Sequence, residues 1–332
     1  MGMEHVGIVG AGAWGTALAV TATRAGRRAT LWAHEPEVAR AIDERHENPL
    51  YLPGVALPPE IAGTTDLAVL AGADIVVLVP PAQHLRSVCK GLAPHWRRGT
   101  PALIGAKGIE EGSFLLLTEV LAEALPEAVP AVLSGPTFAA EVARGLPTAV
   151  SVACADQALG RRMVEALGTP SFRPYWGDDP LGAQIGGAVK NVLAIACGIV
   201  AGRQLGDNAR AALLTRGLAE ILRLAEAKGG RRETLMGLSG LGDLILTATS
   251  TQSRNTSLGM ALGEGRSLDS VLSERRTVAE GVYTARSVIG LANRLGVEMP
   301  LCEAVDAVLH RGADLDETIR GLLARPFKAE IG

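Results

Sequence analysis

Lysine is scarce in this sequence, five residues against 27 arginines, so a lysine inside an apolar stretch calls for a local explanation. Surplus positive charge is missing as well. The net charge is -3 with 20% charged residues, which leaves nothing to neutralise a run of phosphates and argues against a nucleic-acid partner. The four cysteines, Cys89, Cys154, Cys197 and Cys302, are neither paired as Cys-x-x-Cys nor set beside histidine at metal-ligand spacing. They read as reduced, mostly buried thiols, and no metal is expected. Residues 1–5 lack the basic start and long apolar core of a secretory leader, and Val6 already reads as strand, so the cytoplasm is the expected compartment. Repeats and low-complexity tracts are absent; only the short charged C-terminus after Arg325 looks loose.

One apolar run stands out. Pro180 to Gly202 carries a single charge, Lys190, over roughly the length that crosses a bilayer. Its many glycines, its central lysine and the lack of a second such run favour a buried helix of a soluble protein over a membrane span.

A chain of 332 residues exceeds the size at which one hydrophobic core stops growing, so two domains are expected. The first half alternates apolar strands with amphipathic helices, the pattern of a parallel sheet covered on both faces. The expected strands are Val6–Val9, Ala29–Trp32, Asp74–Val79, Ala102–Ala106, Ala131–Leu133 and Ala149–Ala153. Beyond Asp179 strand signals stop, and helices are expected at Leu181–Ala201, Asn208–Lys228, Ala279–Leu295 and Glu303–His310. The fold class that follows is α/β: a doubly wound, Rossmann-type domain over residues 1–179 and an all-helical domain over 180–332.

The segment from Val6 to Gly15 runs from strand into a G-x-G-x-x-G turn, followed by a helical stretch, Thr16–Arg24. In such a turn Gly10 permits the bend, Gly12 removes the side chain that would block a pyrophosphate, and Gly15 lets helix and strand pack closely. The phosphates then meet the helix N-terminus. The strand before, the helix after and the later βα alternation make this a dinucleotide site. Glu35, twenty residues beyond Gly15, stands near the tip of the second strand. There an acid would hold the ribose diol of NAD and repel the extra phosphate of NADP, or simply serve as a helix N-terminal acid beside Pro36.

Two of the five lysines stand in apolar surroundings. Lys190 is the sole charge between Asp179 and Arg203, and a buried ammonium shifts toward its neutral form, which suits proton transfer near neutral pH. Ala183, Gly186, Gly187, Ala194, Cys197, Gly198 and Ala201 surround it at helical spacing, a small-residue stripe that another backbone or a ligand can approach. Asp243, the only charge between Glu233 and Arg254, is its natural counter-ion, and would also serve as a helix N-cap. Lys107 follows an apolar strand at the end that faces the ligand crevice in open parallel sheets, and Ser134–Thr137 follows another. Thr137 there has two readings, ligand contact and helix cap. Arg254 and Asn255 offer a planar fork and an amide suited to a phosphate monoester.

These blocks, taken in order, resemble the bacterial NAD(P)-dependent glycerol-3-phosphate dehydrogenases over nearly the whole chain. The likeness rests on Gly10–Ala19, Lys107–Glu110, Leu133–Ala139, Gly186–Asn191, Leu241–Leu244, Ser253–Asn255 and Val278–Gly281. It implies hydride transfer between a nicotinamide and the central carbon of dihydroxyacetone phosphate or sn-glycerol 3-phosphate, with Lys190 moving the proton and Asp243 orienting it. It further implies substrate contacts from Lys107, Gly135, Thr137, Ser253, Arg254 and Asn255. Cofactor contacts are implied for Ala13, Trp14, His34, Lys107, Ala139, Arg254, Val278 and Glu280, beside the three turn glycines. The family usually carries Arg or Lys, less often Asp, where Glu35 stands, which leaves NAD and NADP both open. A role in glycerophospholipid synthesis and a homodimer are implied too. Two alternatives stand beside this reading: another two-domain dehydrogenase acting on a hydroxyacyl, sugar-acid or keto-acid substrate, and a non-catalytic dinucleotide sensor. The first need not share Ser253-Arg254-Asn255, and the second has no use for a buried Lys190 with its own counter-ion.

Overall fold

Apolar runs become strands where both faces of a sheet are to be covered. The computed structural model describes residues 2–274 and 279–327, and its first half carries ten strands among those residues. They are β1 (His5–Val9), β2 (Arg28–Trp32), β3 (Glu47–Asn48), β4 (Leu52–Ala56), β5 (Ile61–Thr64), β6 (Ile75–Leu78), β7 (Pro101–Ile104), β8 (Val129–Ser134), β9 (Thr148–Ala153) and β10 (Phe172–Gly177). Eight form one sheet in the order β10-β9-β8-β7-β6-β1-β2-β5, while β3 and β4 pair separately and antiparallel. Pairing in the main sheet is parallel, as expected, except between β8 and β9, which run antiparallel, so β9 and β10 run against the other six strands. Successive residues point to opposite faces: Ile75 and Val77 join the core of one face, Val76 and Leu78 that of the other.

Six helices cover those faces. These are α1 (Ala13–Arg24), α2 (Pro36–Arg45), α3 (Leu85–Leu92), α4 (Leu117–Ala124), α5 (Ala139–Arg144) and α6 (Gln157–Leu167). Leu18, Ile42, Val142 and Met163 bring α1, α2, α5 and α6 to one face; Leu85, Cys89, Val120 and Leu121 bring α3 and α4 to the other.

From Pro180 the described residues form helices only: α7 (Pro180–Gly202), α8 (Asp207–Lys228), α9 (Arg232–Leu235), α10 (Asp243–Thr249), α11 (Arg254–Gly263), α12 (Leu268–Ser273), α13 (Glu280–Leu295), α14 (Pro300–His310) and α15 (Leu315–Leu323). Asp179 starts α7 by accepting the Gly182 N–H at 2.9 Å, with Pro180 in the first turn, where its missing N–H costs nothing. Every residue of α7 from Gly182 to Val200 is buried. Its length and composition would cross a membrane, but here it is the core around which the other helices pack. The small-residue stripe admits a backbone: a Cβ on Gly198 would lie 2.1 Å from the Thr256 carbonyl, and one on Gly259 of α11 would lie 2.0 Å from that of Ile195. Of the charged C-terminus expected to be loose, residues 328–332 lie outside the described residues.

Candidate active site

The glycine turn has the geometry its sequence requires. Gly10 has φ of +113°, and a Cβ there would meet the Val79 carbonyl at 2.8 Å; a Cβ on Gly15 would fall 1.9 Å from that of Gly10. Nothing lies within 4 Å of a Cβ built on Gly12, the residue preceding α1, and no side chain caps the helix. The result is an open cradle of unclaimed N–H groups at a helix N-terminus, which fits the pyrophosphate of a dinucleotide. Ala13 and Trp14 open α1 and pack on the sheet core, with Gly105 leaving room for the Trp14 ring.

The second strand ends beside this cradle. His34 is exposed and lies 6.2 Å, ring to ring, from Trp32. Glu35 occupies the N-cap position of α2, yet its side chain makes no capping bond; instead its Oε1 accepts the Tyr51 hydroxyl at 2.9 Å. Glu35 thus stands at the helix N-terminus, as one of its two readings expects, but makes no capping bond there.

Lys190 lies on α7, 5% exposed. Its Nζ donates to Asp243 Oδ1 and, at 2.8 Å, to Thr247 Oγ1 one turn further along α10. Asp243 is fully buried at the first position of α10, where a π-helical turn over Leu238–Gly242 delivers it; Gly242, not Asp243, is the N-cap residue. That turn reaches α7 because Gly186 has no Cβ, which would otherwise lie 2.4 Å from the Ser239 carbonyl. The other oxygen of Asp243 accepts Lys107 Nζ at 2.5 Å, and Lys107 also donates to the Gly135 carbonyl at 3.2 Å. Gly187 of α7 makes space for this arm, since a Cβ there would lie 3.5 Å from Lys107 Cγ and 2.9 Å from Ser134 Oγ. Two cations thus share one carboxylate. Burial pulls the Lys190 ammonium down to about 7; Asp243 opposes that shift and the neighbouring Lys107 reinforces it.

The remaining expected residues surround this centre. Ser253 caps α11, its Oγ accepting the Thr256 N–H at 3.2 Å, and Thr256 in turn donates to the Thr247 carbonyl. Arg254 is the first residue of α11 and exposed. Asn255 is buried and ties three helices, donating to Asn191 Oδ1 at 3.0 Å and accepting the Gly281 N–H at 3.0 Å. Thr137 does not cap the following helix: α5 begins after Phe138 without a side-chain cap, and Thr137 donates to the Gly135 carbonyl at 3.4 Å. Ala139 begins α5. Glu280, at the start of α13, accepts the Ala82 N–H at 3.2 Å; burial raises its carboxyl to about 7, against the pull of that N–H and of Arg254. Val278 lies outside the described residues.

Lys107, Gly135, Lys190 and Asp243 therefore meet directly, Ser253, Arg254 and Asn255 join through α11, and His34 belongs to the far end of the cradle. Thr247 was missed by sequence reasoning, and Ser134 was placed only at a strand end facing the crevice. Thr247 carried a signal, four residues after Asp243 on a helix, whereas Ser134 joins through tertiary packing.

The family profile described as NAD-dependent glycerol-3-phosphate dehydrogenase N-terminus matches residues 5–160, and the C-terminus profile of the same enzyme matches residues 179–320. The glycerol-3-phosphate dehydrogenase [NAD(P)+] of Rhodospirillum rubrum is 62% identical, covering 99% of this chain and 95% of its own. That of Caulobacter vibrioides is 56% identical, over 99% of this chain and 100% of the relative. The crystal structure of glycerol-3-phosphate dehydrogenase from Coxiella burnetii superposes with a TM-score of 0.93 at 40% identity, covering 97% of this chain and 99% of that one. With both profiles matched and such relatives aligned from end to end, the chain belongs to the NAD-dependent glycerol-3-phosphate dehydrogenase family.

Proposed function

We propose that this chain interconverts dihydroxyacetone phosphate and sn-glycerol 3-phosphate, using NADH or NADPH. The observation that carries the reading is Lys190, a buried lysine held on Asp243 with its acidity brought near neutrality. The nicotinamide, when bound, supplies the hydride to the central carbon or takes it back. In reduction Lys190 gives a proton from Nζ to the carbonyl oxygen, and in oxidation it takes the hydroxyl proton. Asp243 fixes the Nζ position, and Lys107, on the other carboxylate oxygen, keeps Asp243 from binding the Lys190 proton too tightly.

The phosphate of the substrate suits the N-terminus of α11, where Ser253 and Arg254 stand and the helix dipole favours an anion. Residues 1–179 hold the dinucleotide in this reading, with Gly10, Gly12, Gly15, Ala13, Trp14, His34 and Ala139 around it; residues 180–332 supply the proton donor. Lys107 and Gly135 reach the substrate from the sheet side, with Thr137 beside them. Arg254 and Glu280 line the junction with the cofactor. Glu35 meets the ribose diol and opposes a 2′-phosphate. Cytoplasmic location, a homodimer and supply of glycerol 3-phosphate for phospholipid synthesis follow from the resemblance alone. The test is oxidation of NADH and NADPH by purified protein with dihydroxyacetone phosphate, beside unphosphorylated dihydroxyacetone. Turnover with neither cofactor would sink the assignment.

A further inference from the structure

The residues around Glu35 carry an inference that rests on its reading as the ribose-facing acid. Asn48, fully buried in β3, donates from Nδ2 to the Ala11 carbonyl and to Thr16 Oγ1, both at 2.8 Å, so it is pinned to the glycine turn and to α1. Its Oδ1 accepts the Tyr51 N–H at 3.1 Å, which fixes the turn between β3 and β4. The Tyr51 ring packs against the sheet core, and its hydroxyl meets Glu35 Oε1. A chain of bonds therefore runs from the floor of the phosphate cradle to the acid at its rim. Burial and Glu35 push the Tyr51 phenol up, so it remains a donor across the neutral range.

We propose that Tyr51 is a positioning residue for cofactor choice: its hydroxyl holds the Glu35 carboxylate over the site of the adenosine ribose. A glutamate just before a helix is too long to be a favoured cap, and unheld it extends into water. Here the Tyr51 hydroxyl competes with that water. Held in place, Glu35 accepts from the ribose hydroxyls and repels a 2′-phosphate; released, it does neither well. Tyr51 acts through Glu35, and the ring alone does not suffice.

The test is the direct binding of NADH and NADPH, measured by titration calorimetry on the full chain, for the native protein, Tyr51→Phe, Glu35→Ala and the double variant. Tyr51→Phe keeps the packed ring and removes one hydrogen bond, so the ratio of Kd for NADH to Kd for NADPH is expected to rise by about threefold to tenfold. Glu35→Ala should shift the ratio the same way, and adding Tyr51→Phe to it should change nothing more. If Glu35→Ala moves the ratio and Tyr51→Phe does not, the role of Tyr51 is overturned while the reading of Glu35 stands. If Glu35→Ala itself leaves the ratio unchanged, the reading of Glu35 falls and takes this inference with it. Equal weakening of both nucleotides by Tyr51→Phe, or a ratio shift that persists without Glu35, would show a packing role and likewise overturn the proposal.

Discussion

Lys107 and Lys190 hold the two oxygens of a single buried carboxylate, one from the end of a strand and the other from the middle of the core helix. Replacing Lys190 by Met keeps the apolar stem and removes the proton. General acid catalysis contributes about 10²–10⁴ in rate, so kcat should fall by at least that order while NADH binding persists. Asp243→Asn should show part of the loss, and the double variant should be little worse than Lys190→Met, because the two act as one unit. Losses that simply multiply in steady-state assays would refute the pairing.

The pH dependence has a definite sign. Lys190 titrates near 7, well below the usual 10.5, and donates only while protonated. Reduction of dihydroxyacetone phosphate should therefore slow as pH rises through about 7, and oxidation of glycerol 3-phosphate should speed up over the same interval. Lys107→Met removes the neighbouring cation, so both limbs should move to higher pH in a kcat profile. A profile flat across that range would contradict the assignment.

Arg254→Lys keeps the charge at the head of α11 but loses the planar fork. KM should rise more for dihydroxyacetone phosphate than for unphosphorylated dihydroxyacetone. Equal rises on both would remove Arg254 from the phosphate.

Glu280 gives a stability prediction. Its folded value of about 7 exceeds the ordinary 4.5, so the folded protein binds the extra proton between those values and stability drains away as pH climbs through them. Glu280→Gln should raise Tm at about pH 8 and leave it nearly unchanged at about pH 5, by thermal scans in buffers of matched ionic strength. A gain of equal size at both would mean the carboxyl is not strained by its burial.

The packing of α7 on α11 is open to a single methyl. Gly259→Ala places a Cβ 2.0 Å from a backbone carbonyl that cannot step aside, so a destabilisation of about 1–3 kcal/mol or more is expected from overpacking. Unchanged Tm in this variant would mean that the two helices slide.

Much of this was legible because the strands and the buried Lys190–Asp243 pair are both announced by isolation. Runs such as Ile75–Leu78 have no polar residue to hide, and Lys190 has no charged neighbour in sequence, nor has Asp243. The edge strands were not. In β10, Pro174 has no N–H to donate and Arg173 and Tyr175 face water, while β5 is four residues with a glycine inside; both read as loop. The helix α11 escaped because Gly, Ser, Thr and Asn dilute its apolar period, the very residues that let it press against α7. The third member of the charge cluster was hidden for a different reason. Lys107 was readable as a residue facing the crevice, but its hold on Asp243 exists only once strand ends and helix starts are folded together.

That hold joins the sheet half to the helical half. Were the halves to part by the width of one water molecule, Lys107 and Asp243 would become two hydrated charges. Lys190 would keep the carboxylate to itself, lose the adjoining cation and gain solvent, and each of these changes makes it more basic. The Lys107–Asp243 contact thus makes the acidity of Lys190 depend on how the sheet half is seated on the helical half.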